Sequence, residues 1–368
     1  MKISKTFGQI AALMDQWAPT FYAEDFDNVG LLVGRKSTPC NKILVTHDVN
    51  EEVVNEAIAK ECQLIICFHP IVFSGLKKIT GANYVEKTVL KAIENKIGIY
   101  ATHTALDNHK EGISYILGEA LGLKEQSILI PKKNTLSLLS TYVPVEAKEK
   151  VMNALHTAGA GSVGNYSHCS FSHTGEGQFK GNEASNPILG EKENLTKVEE
   201  QHLQLVFKNH LQPKIIAALK EAHPYEEVAY EIIALENLQN DIGLGSIGTL
   251  PSALTAEDFL MHLKKELNLA FLRHSETTAN KIEKVAVLGG SGSFAIQAAK
   301  AQGADALVTA DLKYHDFFQA EKEILLVDAG HYETEQGTKK LIVDYLSKKI
   351  PNFAITLSEV NTNPVKYF

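Results

Sequence analysis

The chain carries no apolar stretch of membrane-spanning length, no closely spaced cysteine pair and no excess of positive charge. Each absence closes a class of function. The lack of a spanning segment argues against a membrane protein. Four cysteines stand in 368 residues, Cys40, Cys62, Cys67 and Cys169, and none forms a CxxC pair. That argues against a zinc knuckle or a thioredoxin motif, and so sparse a set suits a reducing compartment. Cys67, inside the apolar run LIIC, reads as a small core residue. The net charge of −8 weighs against nucleic acid and anionic membrane as partners. The opening MKISKTFGQIAALMDQW lacks a signal-peptide core and reads as an amphipathic helix through Ile10, Leu13 and Trp17, so a cytoplasmic location is expected. What is present is ordinary globular material, 44% hydrophobic and 22% charged, enough for two or three domains.

Two ends of the chain share a rhythm. In residues 1–129, KILVTHDV (42–49), EEVVNEAIAKE (51–61), QLIICF (63–68), a helix near 84–96 and IGIYAT (97–102) alternate strand and helix. In residues 240–368, VAVLGG (285–290), a helix over 293–301, ALVTA (306–310), a helix near 312–321, ILLVDAG (324–330), a helix over 332–348 and FAITL (353–357) do the same. Such alternation predicts mostly parallel sheets with helices on their faces. The fold class is therefore α/β, two related halves flanking an inserted domain at 130–239. That insert reads as strand–helix–strands–helix–strand, the ferredoxin-like order, with GNYSHCSF and GEGQFKG as a hairpin pair and 185–201 as a polar loop.

Four segments each follow a predicted strand: FHPIVFSG (68–75), HTALDNH (103–109), TADLKYHD (309–316) and DAGHYETE (328–335). Ligands of open α/β sheets bind beyond the carboxyl ends of the strands. His331 and Glu335, four apart at a helix start, project from one face and form a bidentate platform for a divalent ion; the alternative is a solvated first turn. Asp107 reads as ligand or helix cap, and His69 as ligand or core histidine. Taken as a set, His69, Asp107, His331 and Glu335 point to one or two bound divalent cations, with zinc the best match and manganese or iron also compatible. His103, His109, Asp311 and His315 lie close by in sequence, Asp311 and His315 as partners or proton carriers. LGGSGSF (288–294) reads equally as an anion-binding turn or a tight strand-to-helix connection. HPYEEVAY (223–230) receives no catalytic role.

These segments together resemble the GTP cyclohydrolase I type 2 homologs, the Nif-three-like family. The resemblance runs through EDFDNVGLLVG (24–34), HPIVFSGLKKI, HTALDN, LGGSGS, DLKYHD and DAGHYETE. In the insert it runs through GAGSVGNYSHCSF, GEGQFKG, NPILG and HPYEEVAYEI. It implies a dinuclear metal cleft with His69, Asp107, His331 and Glu335 as ligands and Glu335 as the bridge. It also implies a PII/CutA-like insert and a homohexamer built as a trimer of dimers. There is one departure: many members carry two adjacent histidines where this chain has Phe68-His69. A ligand is thereby lost at one metal position, and His109 is a candidate to replace it.

The expected function is metal-dependent hydrolysis of a small phosphorylated or heterocyclic substrate, with His103 or His315 moving protons. The rival is a non-enzymatic metal-binding or regulatory ring that binds a small effector.

Overall fold

The computed structural model describes residues 4–276 and 281–366. The chain forms two compact units, Met1–Pro131 with Asn240–Phe368, and Lys132–Gln239. It is mixed α/β with several sheets.

In the first unit, α1 (Phe7–Trp17) starts at a reciprocal cap. The Thr6 hydroxyl accepts from the Gln9 amide, and the Gln9 side chain accepts from the Thr6 amide. Strands β1 (Gly30–Val33), β2 (Lys42–Thr46), β3 (Leu64–Cys67) and β4 (Gly98–Ala101) build a sheet in which β2, β3 and β4 run parallel. The crossovers are α2 (Glu51–Ala59) and α3 (Tyr84–Glu94), capped by Asn50 and Asn83. All four residues of LIIC are buried, as a parallel strand covered on both faces requires. Short α4 (His103–Asp107), α5 (Ile113–Ala120) and β5 (Lys124–Pro131) follow.

The second unit runs β6 (Leu136–Pro144), α6 (Lys148–Ala158), β7 (Phe171–Lys180), β8 (Leu195–Lys208), α7 (Gln212–Ala222) and β9 (Tyr230–Leu235). Its sheet order is β9-β6-β8-β7, antiparallel throughout. The element order is the one the sequence predicts, but two local expectations change. GEGQFKG pairs with residues 195–200, part of the expected polar loop, and not with GNYSHCSF. LTKVEEQ is polar because much of this edge region faces solvent, and polarity hides the strand.

The chain then returns to the first unit with β10 (Gly243–Leu254), α8 (Ala256–Glu266), β11 (Arg273–His274), β12 (Ile282–Ser291), α9 (Ile296–Ala301), β13 (Ala306–Ala310), β14 (Leu325–Asp328), α10 (His331–Glu335), α11 (Thr338–Lys349) and β15 (Ala354–Leu357). Its six-stranded sheet has the order β11-β14-β13-β12-β10-β5, and the five-stranded sheet the order β15-β2-β3-β4-β1. Each sheet therefore takes one strand from the other end of the chain. FAITL, at the end of the second rhythm, pairs with β2, Ile355 opposite Ile43. The cause is packing: Ile342, Leu346, Ile350 and Phe353 share a core with Ile10, Met14, Ile43 and Ile66. The helix predicted over 332–348 breaks at Gly337 into α10 and α11. That near 312–321 is a 3-10 helix over Tyr314–Ala320.

Candidate metal centre

The exchange of strands gives both sheets to one unit, and the carboxyl ends of six strands carry its chemistry. His47-Asp48 follows β2, Phe68-His69 follows β3, and His103 follows β4 by two residues. Gly289 and Gly290 end β12, Asp311 follows β13, and His331 opens α10 after β14. Backbone hydrogen bonds fix the first three ends to one another. The His47 carbonyl accepts the amides of Phe68 (3.0 Å) and His69 (3.1 Å), and the Phe68 carbonyl accepts the His103 amide (2.9 Å).

Three donor atoms form a tight triangle. His69 Nε2 lies 3.4 Å from His331 Nε2 and 3.4 Å from Glu335 Oε2, and His331 Nε2 lies 3.2 Å from Glu335 Oε2. Ligands about 2.0–2.1 Å from a tetrahedral ion stand about 3.3–3.4 Å apart, so the triangle has the edges of one coordination face. His69, His331 and Glu335 come from β3 and α10, so residues from both ends of the chain meet here.

Carboxylates behind the imidazoles decide which nitrogen points inward. Asp48 Oδ1 is 2.8 Å from His69 Nδ1, and Asp311 Oδ2 is 2.7 Å from His331 Nδ1. Each pair leaves Nε2 turned to the triangle, the arrangement by which a carboxylate orients a metal-ligating histidine. Asp311 reaches this place from a left-handed backbone, φ +55°. A third pair joins His103 Nδ1 to Asp27 Oδ1 at 2.8 Å, and the other Asp27 oxygen takes the Thr104 amide. The His103 ring then stands 5.2 Å from that of His69.

Charge is as concentrated as geometry. Burial pushes the Asp107 carboxyl well above the carboxylate range, and the nearby Glu335 and Asp27 charges push the same way. Burial also opposes a charged Glu335, but the imidazoles of His331 and His47 outweigh it and hold that carboxyl below its ordinary value. Burial lowers His331, yet the Asp311 and Glu335 carboxylates beside its ring raise it to about 10. A proton on His331 thus answers the carboxylate charge that a divalent cation would answer.

Several buried polar atoms here lack a hydrogen-bond partner: both ring nitrogens of His47, Asp107 Oδ1 and Glu335 Oε2. Such atoms are costly unless something else satisfies them. Imidazole and carboxylate donors with these orphaned atoms fit a divalent cation of the zinc, manganese or iron type.

The glycine turn serves the same cluster. Gly290 has φ +67°, and a Cβ there would sit 2.3 Å from Glu335 Oε1 and 3.2 Å from His331 Nε2. The Gly290 amide donates to Thr334 Oγ1 (3.0 Å) and the Gly289 amide to Ser114 Oγ (3.4 Å). Of the two roles the sequence allows this turn, close packing wins: the turn makes room for Glu335, and these amides are already engaged.

The remaining candidates fall in different places. Asp107 ends α4 with one buried oxygen aimed at no protein donor, and it is not among the donors within 4.8 Å of one another. His109 sets its ring edge-on to Trp17 (5.9 Å) and accepts the Glu111 amide through Nδ1. His315 is exposed between Tyr314 and Phe318. Sequence reasoning misses His47 and Asp27. His47 carries the signal used elsewhere, a histidine directly after an apolar strand. Asp27 sits in EDFDNVG, where nothing local marks it.

The family described as Duf34/NIF3 (NGG1p interacting factor 3) matches residues 5–364. The GTP cyclohydrolase 1 type 2 homolog of Bacillus subtilis is 38% identical over 98% of both chains. That of Halalkalibacterium halodurans is 36% identical over 100% of both. The crystal structure of a Bacillus cereus protein related to NIF3 superposes with a TM-score of 0.84 at 37% identity, covering 99% of each chain. With its motifs, its fold and its full-length relatives in agreement, the chain belongs to the Duf34/NIF3 family.

Proposed function

We propose that this protein binds one or two divalent cations through His69, Asp107, His331 and Glu335 and uses them to hydrolyse a small phosphorylated or heterocyclic substrate. The observation that carries the reading is the triangle of His69, His331 and Glu335, with edges of 3.2–3.4 Å. A bound cation of this type supplies Lewis acidity and a water acidified toward neutral pH. Glu335, approached by three imidazoles, is the residue that would be shared were two cations bound. Asp48 and Asp311 hold His69 and His331 with Nε2 inward. We read His103, its Nδ1 held by Asp27 and its ring beside that of His69, as the residue that takes or gives a proton. His315, exposed on its 3-10 helix, is a weaker proton carrier in this geometry.

Zinc is the first choice of metal, with manganese and iron next. The curated relatives bear the name GTP cyclohydrolase 1 type 2 homolog, so GTP heads the substrate screen. We read the βαββαβ unit as a PII/CutA-like module and the working form as a cytoplasmic homohexamer, a trimer of dimers. Light scattering on the purified protein tests the assembly. Among the described residues, no helix is long and apolar enough to cross a membrane.

One observation favours the rival reading of a non-enzymatic metal-binding ring. The Gly289 and Gly290 amides are engaged within the protein, so these two are not open to an anionic substrate group. Metal-loaded protein incubated with nucleotides, phosphoesters and cyclic amides separates the two. Turnover that disappears with chelator supports the hydrolase, and stoichiometric metal with no turnover supports the rival.

A further inference from the structure

We propose that His47 is a metal ligand of this chain, supplying through Nε2 the imidazole that Phe68 cannot. The inference rests on the metal-binding reading above and adds a residue to it.

Strands β2 and β3 are parallel and in register, Thr46 opposite Cys67, so the next residues, His47 and Phe68, lie side by side at the strand ends. Phe68 is fully buried in the core, its ring 5.6 Å from the His47 ring and inclined by 25°. A histidine at position 68 would bring an imidazole to this place from β3. Here phenylalanine fills that space, and the imidazole comes from the neighbouring strand instead.

His47 is buried, and its Nε2 stands 3.3 Å from Glu335 Oε2, the separation that His69 and His331 also keep from that oxygen. Its ring is enclosed by Phe68, His69 (4.7 Å) and Tyr332 (5.3 Å). An ordinary core histidine gives its ring N–H to a carbonyl or hydroxyl. Neither ring nitrogen of His47 has such a partner. His47 also falls outside the donor set of the His69–His331–Glu335 triangle, while grouping with Asp48 and His69. It therefore meets Glu335 from a second side, which suits a second ion sharing that carboxylate. His109 is differently engaged, against Trp17 and the Glu111 amide.

The experiment compares full-length wild type, His47→Leu and the double variant His47→Leu/Phe68→His. Zinc binding is measured by equilibrium dialysis with elemental analysis, and thermal melting is followed in chelator. X-ray absorption counts imidazoles on zinc-loaded wild type, a readout that needs no variant. Three imidazoles per chain on zinc are expected for wild type, with His47→Leu losing one equivalent or weakening at least tenfold. The double variant regains binding, and cooperative melting in chelator shows that both variants are folded. Wild-type zinc binding that His47→Leu leaves unchanged, or an imidazole count of two, overturns the role of His47 and leaves the metal reading standing. A wild type that binds no zinc overturns both.

Discussion

The two units hold similar numbers of histidines and treat them in opposite ways. Unit Lys132–Gln239 carries six of the fourteen, and several of these turn to neutral groups. His202 meets the Ser140 hydroxyl (2.8 Å), His223 the Tyr142 carbonyl (2.9 Å) and His156 the Ala160 carbonyl (3.1 Å). In the other unit, His69, His103 and His331 each rest Nδ1 on a carboxylate at 2.7–2.8 Å, and His47 has no hydrogen-bond partner at either ring nitrogen. Among the described residues, the groups able to hold a cation lie only in this second set. Histidine count therefore says little about metal. A carboxylate behind one ring nitrogen, with the other nitrogen short of a protein partner, says much more.

The contrast breaks most severely at Glu335. Glu335→Gln removes the charge that three imidazoles approach, and zinc affinity is expected to fall at least ~100-fold, read by competition with a chromophoric chelator. Unchanged affinity would refute the shared-carboxylate arrangement. Next comes the carboxylate backing: Asp311→Asn should weaken zinc about 10- to 100-fold, as loss of an orienting partner does, in the same assay. Gly290→Ala tests the steric fit. A Cβ at φ +67° lies 2.3 Å from Glu335 Oε1, so a loss of about 1–3 kcal/mol in chemical denaturation is expected, with weaker metal retention. Gly75→Ala, where a Cβ meets nothing within 4 Å, serves as its control.

Acidity gives a gentler test. His331 is raised to about 10 by Asp311 and Glu335 against the effect of burial. Because the folded pKa lies above the unfolded value of about 6.5, this pair's contribution to stability is full below that pH. It is lost as pH rises through about 10. In chelator, denaturation midpoints should therefore decline across that window, and His331→Gln should remove that part of the decline. Zinc must displace the same proton, so binding at neutral pH should release protons, measurable by calorimetry in buffers of different ionisation enthalpy. The smallest effect is expected in the other unit: His202→Ala should leave zinc content unchanged and shift stability by only about 1 kcal/mol.

Much of this contrast is legible in the amino-acid sequence. Apolar runs such as LIIC and ALVTA mark parallel strands, and chemistry placed directly after them marks His69 and His331. The destination of the ends is not legible. FAITL reads the same whether it pairs in its own sheet or in the other, and only the shared core of α1, β2 and α11 decides. Partnership is hidden for a similar reason. Asp48 and Asp27 back histidines 21 and 76 residues away, and spacing carries no signal at such separations; Asp311, read as a partner from its place after a strand, does sit behind His331. His47 is visible as a residue, but its missing partners exist only in three dimensions. The polar strand at 195–201 escapes because its more buried face carries Thr196, Val198 and Glu200, so hydrophobic alternation is weak.

Anomalous scattering at the zinc edge, from crystals of protein loaded with zinc and never exposed to chelator, would locate the ion. A peak is expected about 2.0–2.2 Å from His69 Nε2, His331 Nε2 and a Glu335 oxygen. Zinc sites confined to other surfaces, with that position dark in fully loaded crystals, would contradict the metal-binding reading.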